Sequence, residues 1–283
     1  MKLAADAIHK IEQAEGLDSI SAPVIAAVAK AVRPRAVRNW LSGTPLGHPA
    51  HPMLTDVPIG AWTMSALLDV FGGRDAEAGA DLLVKAGVLA AVPTAASGLN
   101  DWSDTMGAET RIGLVHAGAN SSALLLYVMS ARARKHGHRR FGKLLGLLGL
   151  GTLVAGSYLG GHLSFGKGTN VNRTAWEYGP EDWTPVLAEA ELADGEHRKV
   201  DAGGVGVLLW RNGSKVWAIS ATCSHMGGPL DEGEIADGCV TCPWHGSMFR
   251  LRDGGIERGP ACVVQPVYDA RINDGQVEVR AAS

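Results

Sequence analysis

The chain has 283 residues, long enough for two domains. A net charge of −3 and a pI near 6.4 exclude the strongly basic surface that nucleic acid selects. The mean hydropathy of +0.05 hides an asymmetry: residues 53–165 are dominated by Leu, Ala, Gly and Val, whereas 166–283 are more polar and rich in glycine.

Residues 3–15 and 20–33 read as two short amphipathic helices, because Ile8, Ile11, Ile20, Val24, Ile25, Val28 and Val32 recur at helical spacing. Asp6, Glu12, Glu15 and Asp18 interrupt any apolar core, so no cleavable signal peptide is expected. Arg33, Arg35, Arg38 and Trp40 suit either a membrane interface or a solvated helical hairpin. Residues 1–47 are therefore assigned as an amphipathic helical segment.

The run His48-Pro49-Ala50-His51-Pro52 opens the next domain, 48–165, and cannot be regular helix throughout. Apolar stretches follow at 53–71, 82–100, 112–131 and 144–165. Each has about the 20 residues that cross a ~30 Å hydrocarbon core. A four-span helical bundle is expected, with Asp56 and Lys85 facing its interior. A soluble helical core is the rival reading.

Alternating spans place His48, His51, His116 and His162 at one face, with Asp101. These four histidines form a candidate second site, for haem b, a metal or a quinone; the bland reading is that they tie helix ends together. His136 and His138 lie in the opposite loop, among Arg132, Arg134, Lys135, Arg139, Arg140 and Lys143. Positive charge there places that loop in the cytoplasm and the chain's C-terminal domain outside, although Lys30, Arg33, Arg35 and Arg38 argue the other way. Arg139-Arg140-Phe141-Gly142-Lys143 also resembles a twin-arginine export signal. The expected location is a bacterial cell membrane, multi-pass, with the C-terminal domain exoplasmic.

Residues 166–182 read as a linker, and 183–283 as a small antiparallel β domain. Val205–Trp210 and Lys215–Ser220 flank Asn212-Gly213, a hairpin signal; further strands fit 239–242, 247–250, 263–268 and 277–279. The fold class is thus multi-domain α+β, an all-α four-helix membrane bundle followed by a small all-β domain.

Chemistry concentrates in Cys223-Ser224-His225 and Cys242-Pro243-Trp244-His245. Two loops each offering one Cys and one His supply two thiolates and two imidazoles. That set suits one tetrahedral zinc, or two irons with different ligand pairs. Cys239 and Cys262 are left over, read as buried strand residues, with a disulfide between them as the alternative.

The surroundings carry a family resemblance. His225-Met226-Gly227-Gly228-Pro229-Leu230, His245-Gly246-Ser247-Met248-Phe249 and Gly259-Pro260 resemble the two cluster loops and the proline loop of Rieske [2Fe–2S] domains, over about residues 183–281. The resemblance implies a cluster held by Cys223, His225, Cys242 and His245, with the Ser247 hydroxyl toward a bridging sulfide. It is closest to the ferredoxin type of ring-hydroxylating systems. Gly228 and Trp244 stand where quinol-oxidising types carry a disulfide, and Phe249 where they carry a tyrosine. One donor fewer implies a lower potential than those types have. The stretch His51-Pro52-x-Leu54-x-x-x-Pro58-Ile59-Gly60, with His116 and Gly161-His162, is similar to uncharacterised four-helix bacterial membrane domains.

Together these imply a membrane-anchored one-electron carrier, or an oxidoreductase subunit, rather than a stand-alone enzyme. Expected partners are a redox protein or the quinone pool, and membrane lipid, but not nucleic acid. A homo-oligomer is compatible with the sequence. The alternatives are a tethered ferredoxin feeding a separate oxygenase, or a redox sensor.

Overall fold

The computed structural model describes residues 2–282, which contain seven α-helices and ten strands. They form two compact units. One holds the chain up to Arg33 and residues 50–169; the other holds residues 34–49 and everything from Asn170. The N-terminal region is helical and the C-terminal region is all-β, as the change from helical to alternating periodicity implies.

In the helical unit, α1 (Lys2–Glu12) and α2 (Asp18–Ala31) form close to the predicted positions and pack on α6. The guanidinium of Arg111 on α6 grips both Asp18 oxygens at 2.8 and 2.7 Å. Four long helices follow: α4 (Ala50–Phe71), α5 (Glu77–Trp102), α6 (Gly107–Lys135) and α7 (Arg139–Gly161), the last continued by a π turn over His162–Gly166. They coincide with the four apolar stretches and overrun most of their ends. Helices α4 and α6 each pack on α5 and α7, so the bundle closes as a ring with α4 and α6 across its diagonal.

Three of these helices, α5, α6 and α7 with its π turn, are long and apolar enough to cross a membrane. Helix α4 is of spanning length but carries His51, Pro52, Asp56, Pro58 and Asp69, which lower its hydropathy. Leu82, Leu89, Val92, Leu125, Leu148 and Val154 point outward, while Ser65, Ser97, Asn100, Ser130 and Arg134 are buried. Apolar outside and polar groups inside is the pattern a lipid solvent demands; Asp56 and Lys85 depart from it, since both are exposed rather than turned to the interior as their places in the spans suggest. Glycines make the close packing: a Cβ at Gly149 would sit 2.9 Å from the Tyr127 ring, and one at Gly156 2.7 Å from Asn120. Trp62 of α4 and Tyr127 of α6 stack at 4.1 Å in the middle of the core, with Val84, Ala91, Ala123 and Leu153 around them.

In the β unit the strands are β1 (Thr184–Ala188), β2 (His197–Ala202), β3 (Val205–Asn212), β4 (Lys215–Ser220), β5 (Glu234–Ala236), β6 (Cys239–Thr241), β7 (Met248–Arg250), β8 (Ile256–Arg258), β9 (Val267–Asn273) and β10 (Gln276–Ala281). Six make an antiparallel sheet in the order β1-β10-β9-β4-β3-β2, and β5 to β8 make a second sheet in chain order. The predicted hairpin forms: Asn212 pairs with Lys215 across a two-residue turn, and Gly213 takes a φ of +62° that the turn requires. Strands β1, β2, β5 and β8 are short or polar and gave no clear alternation. Leu208, Ile219, Leu230, Val240, Phe249 and Leu251 are buried together with Cys223 and Cys242, so the candidate ligand sulfurs belong to the core.

Residues 34–49 group with the β unit rather than with the N-terminal helices. Helix α3 (Arg35–Ser42) is ion-paired through Arg35 to Glu257. The Gly259 N–H donates to Asn39 Oδ1 at 2.8 Å, Thr44 Oγ1 donates to the Ala261 carbonyl at 2.8 Å, and the Cys262 thiol donates to the Ser42 carbonyl at 2.9 Å. Arg35, which suits an interface in sequence, is thus engaged by the β unit, and Arg38 is buried. Trp40 is exposed.

Candidate metal centre

Two loops of the β unit repeat one backbone design. The Cys223 N–H donates to the Gly228 carbonyl at 2.8 Å, and the Gly227 N–H returns to the Cys223 carbonyl at 2.9 Å. In the second loop the Cys242 N–H donates to Ser247 at 2.8 Å and the Gly246 N–H returns to Cys242 at 3.0 Å. The closing residues, Gly227 and Gly246, have φ of +82° and +71°, which glycine alone adopts without strain. The first loop follows β4, and the second joins β6 to β7.

These loops sort their donors by element. The two sulfurs share a hydrogen bond, which together with burial pushes the Cys223 thiol up; the same bond draws the Cys242 thiol down to about 6. The two imidazoles meet instead edge to face, with ring centroids 5.1 Å apart. Burial first, then the neighbouring His245 and Arg38, push His225 down to about 3, so this ring is neutral, as a ligand must be. A single zinc would draw all four donors to one point. Among the described residues no three His, Cys, Asp or Glu side chains gather around one metal position. Sulfur beside sulfur and imidazole beside imidazole is the donor set of two irons with unlike ligand pairs, and it fits a [2Fe–2S] cluster of mixed ligation.

Supporting residues fix the loops, and several carry no signal in sequence. The Asn170 Oδ1 accepts from His225 Nε2 at 3.0 Å. That bond assigns the ring proton to Nε2 and turns the unprotonated Nδ1 into the available ligand atom. Asn170 lies in what reads as linker; from Asn170 on, that stretch belongs to the β unit, and the Arg173 N–H donates to the Ser224 carbonyl at 3.1 Å. Gln265 accepts from the Ser224 N–H at 3.1 Å and donates to the Ser220 and Thr222 carbonyls. Arg258 donates to the Gly246 carbonyl at 2.8 Å. None of these four belongs to a short motif, so only tertiary contact reveals them. His225 is buried, whereas His245 is partly exposed beside the half-exposed ring of Trp244. The accessible edge of the centre is therefore at His245.

Ser247 is fully buried and its Oγ accepts the Ala261 N–H at 3.0 Å, which leaves its own proton to donate. Ser247→Ala is expected to lower the reduction potential. A hydrogen bond to a charged acceptor is worth roughly 1.5–3 kcal/mol, and about 1.4 kcal/mol is 59 mV for one electron, so a fall of at most about 60–130 mV is expected in a redox titration. At Gly228 a Cβ would lie 2.7 Å from Cys242 Sγ and 3.1 Å from Trp244 Cγ. The indole thus fills the place beside this loop. Cys239 begins β6 as expected, but Cys262 lies in the loop between β8 and β9 rather than in a strand, and both are free thiols.

The segment that ties α3 to the proline loop is acid-sensitive. Hydrogen bonds from Arg250, then from Arg35, hold the Glu257 carboxyl below its usual range. A depressed folded-state pKa stabilises above the unfolded value, about 4.3, and that stabilisation is lost as pH falls through the folded one. Amide protection factors in residues 35–42, exchange rates divided by the intrinsic rates at each pH, are expected to fall below about pH 4.3 and to lose that fall in Glu257→Gln.

The candidate second site divides. His48 belongs to the β unit, where its Nδ1 lies 3.4 Å from the Pro49 carbonyl. His51 and His116 approach each other in the helical bundle, ring centroids 6.4 Å apart. His162 opens the π turn, and its buried Nε2 meets no hydrogen-bond partner among the described residues. Among the described residues His51, His116 and His162, which share the helical unit, do not form one cluster.

Comparison with known proteins agrees with this division. The family described as Rieske [2Fe-2S] domain matches residues 182–269, and the one described as predicted membrane protein (DUF2231) matches 47–173. The anthranilate 1,2-dioxygenase ferredoxin subunit of Burkholderia cepacia is 37% identical over 35% of this chain and 91% of its own length. Ferredoxin CarAc of Metapseudomonas resinovorans is 30% identical over 34% of this chain and 92% of its own. Apoptosis-inducing factor 3 of Mus musculus is 33% identical over 32% of this chain, but only 15% of that protein is spanned. With the two loops and the sorted donors above, these matches show that the chain belongs to the Rieske [2Fe–2S] family, its iron–sulfur domain joined to a DUF2231 domain.

Proposed function

We propose that the chain is a membrane-anchored Rieske protein that passes one electron at a time between a redox group of its helical domain, haem or quinone, and a partner outside the chain. A bound [2Fe–2S] cluster supplies the one-electron couple. Cys223 and Cys242 would hold it through their thiolates and His225 and His245 through their imidazoles, with the Ser247 hydroxyl proton free to donate to it. The observation that carries this is the sorting of sulfurs and imidazoles into separate pairs. The His245 edge, where exposed Trp244 offers a flat contact, is where a redox partner would dock to exchange electrons with the bound cluster. The β domain, residues 183–283, is exoplasmic, and α4 to α7 (within residues 48–165) are all membrane-spanning, with α4 shielded by the polar contacts of its inner face.

Spectroscopy of the detergent-purified protein tests the reading. Reduction should give a Rieske paramagnetic signal with two irons and two labile sulfides per chain. Its potential should lie within roughly −150 to +300 mV, below that of quinol-oxidising types. A colourless protein holding stoichiometric zinc would sink the proposal. Protection of the β domain from protease in right-side-out vesicles would overturn the orientation.

A second reading has a specific observation in its favour. Two relatives matched over nine-tenths of their length are, by name, a dioxygenase ferredoxin subunit and a ferredoxin. On this reading the same edge serves a separate oxygenase and the helices only anchor it. Reduction of the cluster by a quinol analogue distinguishes the two, since only the first requires it.

A further inference from the structure

The two halves of the helical bundle carry the same side-chain plan. His51, Trp62, Ser65 and Asp69 of α4 recur 65 residues later as His116, Tyr127, Ser130 and Arg134 of α6. Each recurrent pair does equivalent work. His51 and His116 face each other, Trp62 and Tyr127 stack, and Asp69 pairs with Arg134. Ser65 Oγ donates to the Ala80 carbonyl at 3.0 Å, and Ser130 Oγ to the Gly142 carbonyl at 2.6 Å.

The partner helices repeat too, at a spacing of 62 residues: Ala80, Gly87, Thr94 and Gly98 of α5 against Gly142, Gly149, Gly156 and Gly160 of α7. A Cβ at Gly87 would strike the Trp62 ring, and one at Gly149 the Tyr127 ring. A Cβ at Gly98 would lie 2.6 Å from His51, and one at Gly160 2.8 Å from His116. Even the sequence agrees locally, with Met64-Ser65-Ala66 against Met129-Ser130-Ala131. The ring of contacts, α4 with α7 and α6 with α5, is what a two-fold relation between hairpins α4–α5 and α6–α7 requires.

We infer that the helical domain is a duplicated hairpin whose pseudo-two-fold axis passes between His51 and His116, and that these two imidazoles are the axial ligands of a haem. His51 Nδ1 lies 3.0 Å from the Thr94 carbonyl and His116 Nδ1 2.8 Å from the Gly156 carbonyl. A carbonyl only accepts, so Nδ1 carries the proton in both rings and Nε2 keeps its lone pair. This is how a protein orients a metal-ligating histidine. Ser97 Oγ also approaches His51 Nδ1, at 3.4 Å. The Asn120 amide nitrogen lies 3.3 and 3.2 Å from the two nitrogens of His116 and donates to the His116 carbonyl at 3.0 Å. Equidistance from both nitrogens puts it over the ring face, off the Nε2 lone pair.

Separation and ligand number decide what binds. Two imidazole–metal bonds of about 2.0–2.1 Å and two ring radii of about 1.15 Å span about 6.4 Å. The ring centroids are 6.4 Å apart with planes at 85°. No third His, Cys, Asp or Glu joins them among the described residues. A bare ion is poorly held by two neutral donors, whereas a haem brings four of its own and asks the protein for two. His162 falls outside the symmetric pair, since its counterpart at that spacing is Asn100.

This site rests on the electron-transfer reading above only for its purpose. The test is the cofactor inventory of full-length protein purified in detergent from haem-replete cells, by pyridine haemochrome, visible spectrum and cluster paramagnetic signal. One low-spin haem per chain is expected. His51→Ala and His116→Ala should each abolish it with the cluster signal intact, while His48→Ala and His162→Ala retain it. His51→Met should keep haem with a shifted spectrum, and Gly98→Ala or Gly160→Ala should cut occupancy severalfold. Protein with a full cluster and no tetrapyrrole, or with a bound quinone or bare metal instead, overturns the inference. Haem without a cluster would sink the proposed function and leave this site standing.

Discussion

Exchanging Cys242 for serine is expected to remove the cluster iron and labile sulfide completely, and to lower the cooperative stability of the β domain with it. Cys223 and Cys242 are 1% and 2% exposed and pack against Phe249, Val240 and Leu251. Their sulfurs are core atoms as well as ligands. A serine oxygen is a poorer iron ligand and, when no cluster is bound, a hydroxyl buried among apolar neighbours, which costs roughly 1–3 kcal/mol. Metal binding free energy is also folding free energy in such sites. Cys223→Ser should behave alike, because the paired sulfurs serve one iron. Cys239→Ser is the control: its sulfur starts β6 away from both loops, so iron content should stay at two per chain while thermal stability changes slightly. Equal loss of iron in Cys239→Ser and Cys242→Ser would show that the sorted pairs are not the ligand set.

Much of the centre was legible before the fold. Cys223, His225, Cys242 and His245 sit in loops whose glycines and proline form a pattern, and the chemistry needs those types at those spacings. What escaped were residues that act through distance in sequence. Asn170 orients His225 from a stretch that reads as linker, and Gln265 bridges the first loop to the strand after the third. Side chains of this kind obey no periodicity. The helices were legible because apolar runs of spanning length are unambiguous, yet α4 is the weakest by hydropathy while carrying one residue of every core pair. Its polar groups read as blemishes on a span; in the bundle His51, Ser65 and Asp69 each have a counterpart on α6, while Asp56 is exposed. The repeat could have been seen as Met-Ser-Ala occurring twice, but three residues in small-residue-rich helices are faint. The placement of α3 with the β unit has a similar cause: its arginines suit a membrane surface by composition, and only the position of Glu257 decides otherwise.

Asp69→Leu should be the most destabilising single change in the helical domain, by about 3–5 kcal/mol, the usual penalty for stranding one member of a buried ion pair. The side chains of Asp69 and Arg134 are 4% and 2% exposed. Arg134 also reaches Asp81 at 3.0 Å and donates to Ser130 Oγ at 3.1 Å, and Arg139 approaches Asp69 at 3.5 Å. Without Asp69, a guanidinium faces Tyr127 and the helix backbones with half its charge compensation gone. Arg134→Leu should cost less, since Asp69 keeps Arg139 and the more distant Lys143 at 3.9 Å. The double variant, two leucines across the bundle diagonal, should recover most of the loss, because an apolar pair of similar volume replaces a desolvated ionic one. Thermal unfolding of the helical domain in detergent measures all three. If the double variant is as unstable as the sum of the singles, the pair contributes net stability and the desolvation argument fails. Haem content of the same variants separates local from global damage. Asp69 and Arg134 lie two turns beyond the Trp62–Tyr127 layer and five beyond His51 and His116, so a variant that still folds should keep its axial pair.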